Sequence, residues 1–270
     1  AIKGGRFTME DEYCVTDGGR FVAIFDGHGG GDVSSYLKHN LHDVFCENMK
    51  LQENKSVFST VAALKAAFCE MEQDVLSDDR LGYQGSTAVA VRIHENPQGH
   101  RTLLSANVGD SRAVLSRRGQ AVDLTRDHKP NEEREKARIL AMGENIEWDR
   151  YSKVHRVRNL SLSRAIGDRH AKPAVSGEVE IKHYPVIEGD DEFIVLSSDG
   201  LWDAMTSQDA VDFVHEKMNA ELSRENLSLD DVENYKTVLR RNMTKFLARE
   251  ALRRGSSDNI CVVLVWLDQK

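Results

Sequence analysis

R-F-V-A-I-F-D-G-H-G-G-G, residues 20–31, is an apolar run that ends in a carboxylate and a glycine-rich turn. Its β-branched and aromatic residues predict a strand from Arg20 to Phe25, with Asp26 at its edge. The arrangement recurs three times. Asp199 ends F-I-V-L-S-S-D, Asp258 precedes N-I-C-V-V-L-V-W-L, and Asp110 follows L-L-S-A-N-V-G. Segments suited to build a core therefore deliver carboxylates to their ends. Clustered carboxylates repel one another unless a positive charge lies between them. For an all-oxygen set the natural neutraliser is a hard divalent cation, Mg²⁺ or Mn²⁺.

The bulk properties agree with a globular protein built around a core. Of 270 residues, 40% are apolar and 30% charged. The net charge of −8 argues against nucleic acid or an anionic membrane as the main partner. The four cysteines, Cys14, Cys46, Cys69 and Cys261, have no C-x-x-C spacing, which speaks against a zinc or thioredoxin-type site. They read as reduced thiols of an intracellular protein, cytoplasmic or nuclear. The longest apolar run, Ile260 to Leu267, is far shorter than a membrane span. Residues 1–20 lack a signal-peptide core, and an upstream targeting or lipidation segment stays open.

Along the chain, Glu12–Thr16 and Arg20–Phe25 flank Asp17-Gly18-Gly19 as a hairpin. Helices are expected over Val33–Lys50, Ser56–Ser77, Asn131–Met142, Ser207–Met218 and Tyr235–Arg254. Strands are expected over Ser86–Ile93, Arg101–Asn107, Arg112–Ser116, Gln120–Leu124, Glu192–Leu196 and Ile260–Leu267. The polar stretch Asn219–Asn234 reads as a loop. No repeat or composition break divides the chain, so one domain over residues 1–270 is expected. Runs of strands separated by pairs of helices predict α+β layers instead of strict βαβ alternation.

The chemistry-bearing residues gather in short motifs. In D-G-H-G-G, glycine lets the backbone approach a ligand, and the Gly27 carbonyl can ligate a hard cation. His28 can donate a proton to a leaving group. Taken alone, the stretch reads equally well as a glycine turn with a surface histidine. Arg6, Thr8 and Glu10 share one face of a strand-like stretch that also carries Asp11. Arginine matches the paired oxygens of a phosphate, although a solvated ion pair is the simpler reading of that stretch by itself. S-S-D-G-L-W-D and S-S-D-N each could be a turn or a cap.

Together these segments carry a resemblance. R-x-x-M-E-D (6–11), F-D-G-H-G-G (25–30), G-S-T-A (85–88), N-V-G-D-S-R-A (107–113), S-R-A-I-G-D (163–168), S-S-D-G-L-W-D (197–203) and G-S-S-D-N-I (255–260) resemble, in order, the motif set of the metal-dependent type 2C protein phosphatases. The resemblance implies a four-layer α-β-β-α sandwich, two mainly antiparallel sheets flanked by helices. It also implies a dinuclear Mn²⁺ or Mg²⁺ centre that hydrolyses phosphoserine and phosphothreonine on proteins without a covalent phosphoenzyme. By motif position, Asp26 would bridge the two ions, and Asp199 and Asp258 would complete one of them. The Gly27 carbonyl and, through water, Glu10 would serve the other. Asp11 would steady a water, and Asp110 and Asp203, with Asp199, would form a weaker third-metal site. His28 matches the general acid and Arg6 the phosphate-binding arginine. A monomer acting on phosphorylated proteins is implied, with a variable flap over about residues 131–163.

The flap departs from the family's pattern. Met142-Gly143-Glu144 has one glycine where a pair is common, and Arg156-Val157-Arg158-Asn159 lacks the glycine usual nearby. These departures bear on substrate choice and leave the ligand set intact. Trp148 lies near a partner-docking tryptophan of some plant members, but a packed flap residue is the plainer reading. Also, the strand that usually precedes Arg6 is largely missing or lies upstream.

Rival readings are weaker. Cys14 and Arg20 spell C-x₅-R, yet a cysteine phosphatase needs that loop to open a helix, and here Arg20 begins a strand. A catalytically inactive binding module on the same fold would be expected to have lost metal ligands. The calcineurin-type signatures G-D-x-x-D-R-G and G-N-H-E are absent. His128 reads as a loop residue, His155 as a surface residue and Cys261 as core.

Overall fold

The alternation in residues 21–25 divides the molecule into layers. Phe21, Ala23 and Phe25 pack against helices, while Val22 and Ile24 face a second sheet. Period-two alternation sends neighbouring side chains to opposite faces, so one strand serves two cores.

The computed structural model describes residues 1–224 and 229–267. In chain order the elements are β1 (Asp11–Thr16), β2 (Phe21–His28), α1 (Asp32–Lys50), α2 (Val57–Ser77), β3 (Gly85–Ser86), β4 (Ala88–Glu95), β5 (Arg101–Val108), β6 (Arg112–Arg117) and β7 (Gln120–Asp123). Then come α3 (Glu133–Ala141), β8 (Glu147–Asp149), β9 (Val154–Arg156), β10 (Ile166–Gly167), β11 (Glu180–Pro185), β12 (Asp191–Ser197), α4 (Asp199–Trp202), α5 (Ser207–Arg224), α6 (Leu229–Arg253) and β13 (Val262–Trp266). One sheet runs β10-β3-β2-β4-β5-β11, with β1 also paired to β2. The other runs β13-β12-β6-β7, and β8-β9 form a separate hairpin. The pairings of both large sheets are antiparallel.

Three apolar cores stack between the layers. Leu37, Leu41, Leu64 and Phe68 of α1 and α2 cover one face of the first sheet. Val22, Val89, Leu115, Ile194 and Cys261 fill the space between the sheets. Val211, Val214, Met243 and Leu247 of α5 and α6 close the outer face of the second. The expected four-layer sandwich of antiparallel sheets with flanking helices is what the chain builds. Helix α2 starts on a side-chain cap, with the Ser56 hydroxyl accepting from Ser59 N at 3.1 Å.

Some expectations are corrected. Residues 6–8 form bends, residues 9–10 are irregular, and the first strand begins at Asp11. Asn259 is the reason: its side-chain oxygen accepts from Glu10 N, and its amide donates to the carbonyls of Lys3 and Thr8. This segment is therefore tied to the entry of β13, and it meets β2 only at its end, where Gly27 N donates to the Glu10 carbonyl at 3.2 Å. Thr8 does reach Glu10, at 2.6 Å, but Arg6 turns away to Asp258. The loop expected at 219–234 is largely helical, because α5 continues to Arg224 and α6 starts at Leu229. Its Ala, Glu, Arg and Leu residues are good helix formers without an apolar stripe. Residues 225–228 of that stretch lie outside the described residues. Three short or edge strands, β3, β10 and β11, carried no legible period.

Candidate active site

Both sheets deliver carboxylates to one end of the sandwich. Asp26 ends β2 and stands opposite Asp11 in the β1–β2 register. Asp110 follows β5, Asp199 opens α4 at the end of β12, and Asp258 precedes β13. Glu10, Asp26, Asp110, Asp199 and Asp258 line one cavity of about 410 Å³, together with Arg6, Gly27, His28 and the flap residue Arg156. Gly27 has no room for a side chain, since a Cβ would stand 2.7 Å from the Glu10 carbonyl and from Ser34 Oγ. Its backbone therefore packs directly beside the carboxylates.

The local bonding fixes these positions. Thr87 Oγ1 accepts from Asp26 N at 3.1 Å and shares a hydrogen with Ser111 Oγ at 2.7 Å. Ser198 Oγ donates to Asp11 Oδ2 at 2.7 Å and accepts from Cys261 N at 3.0 Å. The second sheet thus holds a carboxylate that belongs to the first.

The electrostatics show crowding. Burial, then Asp199, Asp11, Asp110 and Asp258, push the Asp26 carboxyl well above its ordinary range. Burial, then Asp110, Asp203 and Asp258, do the same to Asp199. Asp110 is pushed up to about 6 by burial first, with Lys129 opposing, and by Asp127 and Asp203. Asp11 is also pushed up to about 6, mainly by burial, with hydrogen bonds from Ser198 and Asp26 opposing. Two protein cations answer part of this charge. Arg6 Nη2 meets Asp258 Oδ2 at 2.5 Å. Lys129 Nζ stands 3.7 Å from Asp110 Oδ2 and 3.6 Å from Asp203 Oδ1.

The residues fit a hard divalent cation in donor chemistry. The set is all oxygen, and Asp11 Oδ1 is buried without a hydrogen-bond partner. Among the described residues, no three Asp, Glu, His or Cys side chains converge tightly enough to cage an ion as they stand.

The expected residues are not gathered equally. Arg6, Glu10, Asp26, Gly27, His28, Asp110, Asp199 and Asp258 share the cavity. Asp11 lies just behind Asp26. Asp203 is mostly exposed beyond α4 and connects to the rest through Lys129. Several residues escaped the sequence reading. Asp168 is fully buried and pairs with His28 Nε2 at 2.7 Å. Arg156 reaches the cavity from the flap hairpin. His128 lies on a loop as expected, but is fully buried. Its Nδ1 accepts from Gly109 N, and its Nε2 faces Glu180 at 3.3 Å. The D-H-K-P stretch that holds His128 and Lys129 has no periodicity from which burial could be read. Trp148 is half-exposed against His155 and is not packed into the flap core. Cys14 lies in mid-strand, and burial pushes its thiol up to about 11. Arg20 pairs with Glu95 instead, so the C-x₅-R spelling makes no phosphate cradle.

Comparison with known proteins decides the family. The protein phosphatase 2C family model matches residues 3–260. The chain belongs to the protein phosphatase 2C family. It is 37% identical over 276 residues to probable protein phosphatase 2C 45 of Oryza sativa, covering 98% of this chain and 85% of that one. It is 33% identical over 286 residues to probable protein phosphatase 2C 27 of Arabidopsis thaliana, covering 98% of this chain and 67% of that one. The solved structure of a C. elegans sex-determining protein superposes with a TM-score of 0.82 at 27% identity, over 98% of this chain and 63% of the other. The chain spans from 49% to 85% of the length of its curated protein phosphatase 2C relatives. Among the described residues, no helix is long and apolar enough to cross a membrane.

Proposed function

We propose that this chain hydrolyses phosphoserine and phosphothreonine on proteins, using two Mn²⁺ or Mg²⁺ ions and no covalent phosphoenzyme. One observation carries the reading: carboxylates from both sheets line a single cavity with Arg6 and His28. In this reading Asp26, Asp199 and Asp258 would hold the ions, with Asp26 serving both and Asp199 and Asp258 one of them. The Gly27 carbonyl and, through water, Glu10 hold the other. Asp110 and Asp203, with Asp199, make a looser third position. Bound ions supply Lewis-acid charge and lower the pKa of the attacking water.

The protein's own residues do the rest. Asp11 orients a water from behind Asp26. Arg6 exchanges Asp258 for the phosphoryl oxygens, which its planar fork matches. His28 hands a proton to the serine or threonine oxygen as the P–O ester bond breaks, so that an alcohol departs instead of an alkoxide. The flap, residues 131–163 of a single catalytic unit over 1–270, contributes Arg156 and residues 160–162 to the cavity wall, where it meets the substrate. In this reading the protein works as an intracellular monomer on phosphorylated protein partners.

The test is phosphate release from phosphoserine and phosphothreonine peptides with EDTA, then with Mn²⁺ or Mg²⁺ titrated back. Release that depends on added metal is expected, with Asp26→Ala inactive. No release from a broad peptide panel at saturating Mn²⁺ would sink the reading.

A further inference from the structure

His28 is held by a built pair. The chain sets β3 between β2 and β10: His28 is opposite Gly85, and Gly85 is opposite Gly167. Asp168 follows at once and adopts a left-handed backbone, φ 51°, which is unusual for a residue with a side chain. Its amide donates to the Gln84 carbonyl at 2.9 Å, which anchors the turn. The result is that Asp168 Oδ2 reaches across Gly85 to His28 Nε2 at 2.7 Å. Gly85 leaves the path open. A Cβ there would stand 2.6 Å from both Asp168 Cγ and His28 Nε2. The Asp168 side chain is 0% exposed, while the His28 ring is 26% exposed at the cavity. Burying a carboxylate costs free energy unless it is bonded, and this one still leaves its second oxygen unpartnered.

We infer that Asp168 is the positioning residue for His28, fixing the imidazole by its Nε2 so that Nδ1 serves the cavity. The inference deepens the proposed function and rests on its assignment of His28 as the proton donor. A carboxylate only accepts hydrogen bonds, so the hydrogen between the two residues belongs to Nε2. Among the described residues no other hydrogen bond fixes the ring. When the ester breaks, its electron pair leaves with the serine or threonine oxygen, and the attacking water forms the new P–O bond and releases one proton to solvent, which supplies the proton that restores Nδ1–H for the next turnover. The Nδ1–H bond breaks as the new O–H bond forms, and the neutral imidazole keeps its Nε2–H on Asp168. Asp168 gains and loses no proton.

The experiment uses the Mn²⁺-loaded chain and two probes, a phosphoserine peptide and p-nitrophenyl phosphate. A serine alkoxide needs protonation to leave, whereas nitrophenolate does not. General acid catalysis is worth roughly 10²–10⁴ in rate, and misplacing the acid should forfeit about 10- to 100-fold of it. Asp168→Asn is therefore expected to lower kcat on the peptide by that factor, with KM and p-nitrophenyl phosphate turnover little changed. His28→Ala should show the same selectivity. The double variant should be no slower than His28→Ala alone, which a merely structural defect would not produce. Gly85→Ala keeps both side chains but wedges them apart, and should reproduce the Asp168→Asn pattern. A selective loss in His28→Ala without one in Asp168→Asn and Gly85→Ala overturns the inference and leaves the proposed function standing. No selective loss in His28→Ala removes the proton-donor assignment, and the inference falls with it.

Discussion

Asp26 has four carboxylates acting on it, and that determines what its replacement does. Removing the charge should have opposite effects on chemistry and on stability. Asp26→Asn should abolish metal-dependent phosphate release. In EDTA near pH 7.5 the same variant should be more stable than the parent by about 2 kcal/mol, because a buried, repelled charge has been removed. Urea unfolding of both proteins in EDTA checks this. A less stable variant would mean that Asp26 is held by bonds and not strained by its neighbours. Lys129 sets up a companion case. It is the ammonium shared by Asp110 and Asp203, so it competes with any cation there. Lys129→Met should tighten a third Mn²⁺ by about tenfold, near the 1.4 kcal/mol of one modest ion pair, as counted by Mn²⁺ electron paramagnetic resonance titration. Unchanged stoichiometry and affinity would show that the two carboxylates do not form a cation position. The aspartates themselves were legible because strand-like runs end at them. Asp168 and Lys129 were not, because partners of theirs lie far away in sequence: Asp168 meets His28 140 positions away, and Lys129 meets Asp203.

At the scale of elements, the flap is held by charge as well as by packing. Glu135 on α3 is nearly fully buried and binds Arg164 at 2.6 Å and Arg138 at 2.8 Å, while the Ser163 hydroxyl donates to it at 3.0 Å. Burial opposes its ionisation, but the two guanidinium forks prevail and hold it at about 2. The sign follows from that depression. Its contribution is fully present above the ordinary glutamate range and is lost as pH falls towards 2. Glu135→Gln should therefore cost about 3 kcal/mol at pH 7, since it leaves two buried cations short of a partner. The gap between variant and parent should shrink steadily between pH 4.5 and pH 2. Chemical denaturation at pH 7 and pH 3 measures it, and a gap independent of pH would show that shape, not charge, is what Glu135 contributes. Elements with a strong pattern, such as α2 and β5, could be read from the sequence to within a residue or two. The β8–β9 hairpin and the two-residue strands β3 and β10 could not, because they are defined by pairing partners and not by their own patterns.

For the whole molecule, the layer order was implied by the family resemblance and is built by alternation in strands like β2, but the site depends on a feature that alternation cannot show. Asp26 and Asp11 belong to one sheet, Asp199 and Asp258 to the other, and the core between them is mainly apolar. At the carboxylate end the Ser198–Asp11 hydrogen bond is a polar tie between the sheets, while the crowded carboxylates push apart. An ion bound by both sheets would add a clamp at that end, so metal binding and global stability should be linked. At 100 times the dissociation constant, Mn²⁺ should stabilise the fold by about 2.7 kcal/mol, raising the melting midpoint by roughly 5–10 °C in one cooperative transition. Calorimetry with EDTA and with Mn²⁺ reads this directly. Asp26→Asn and Asp199→Asn, one ligand from each sheet, should each lose most of the shift. If either variant kept the full shift, the ion would be held by one sheet alone. If Mn²⁺ instead split the melt into two transitions, the sheets would unfold separately and the clamp would not exist.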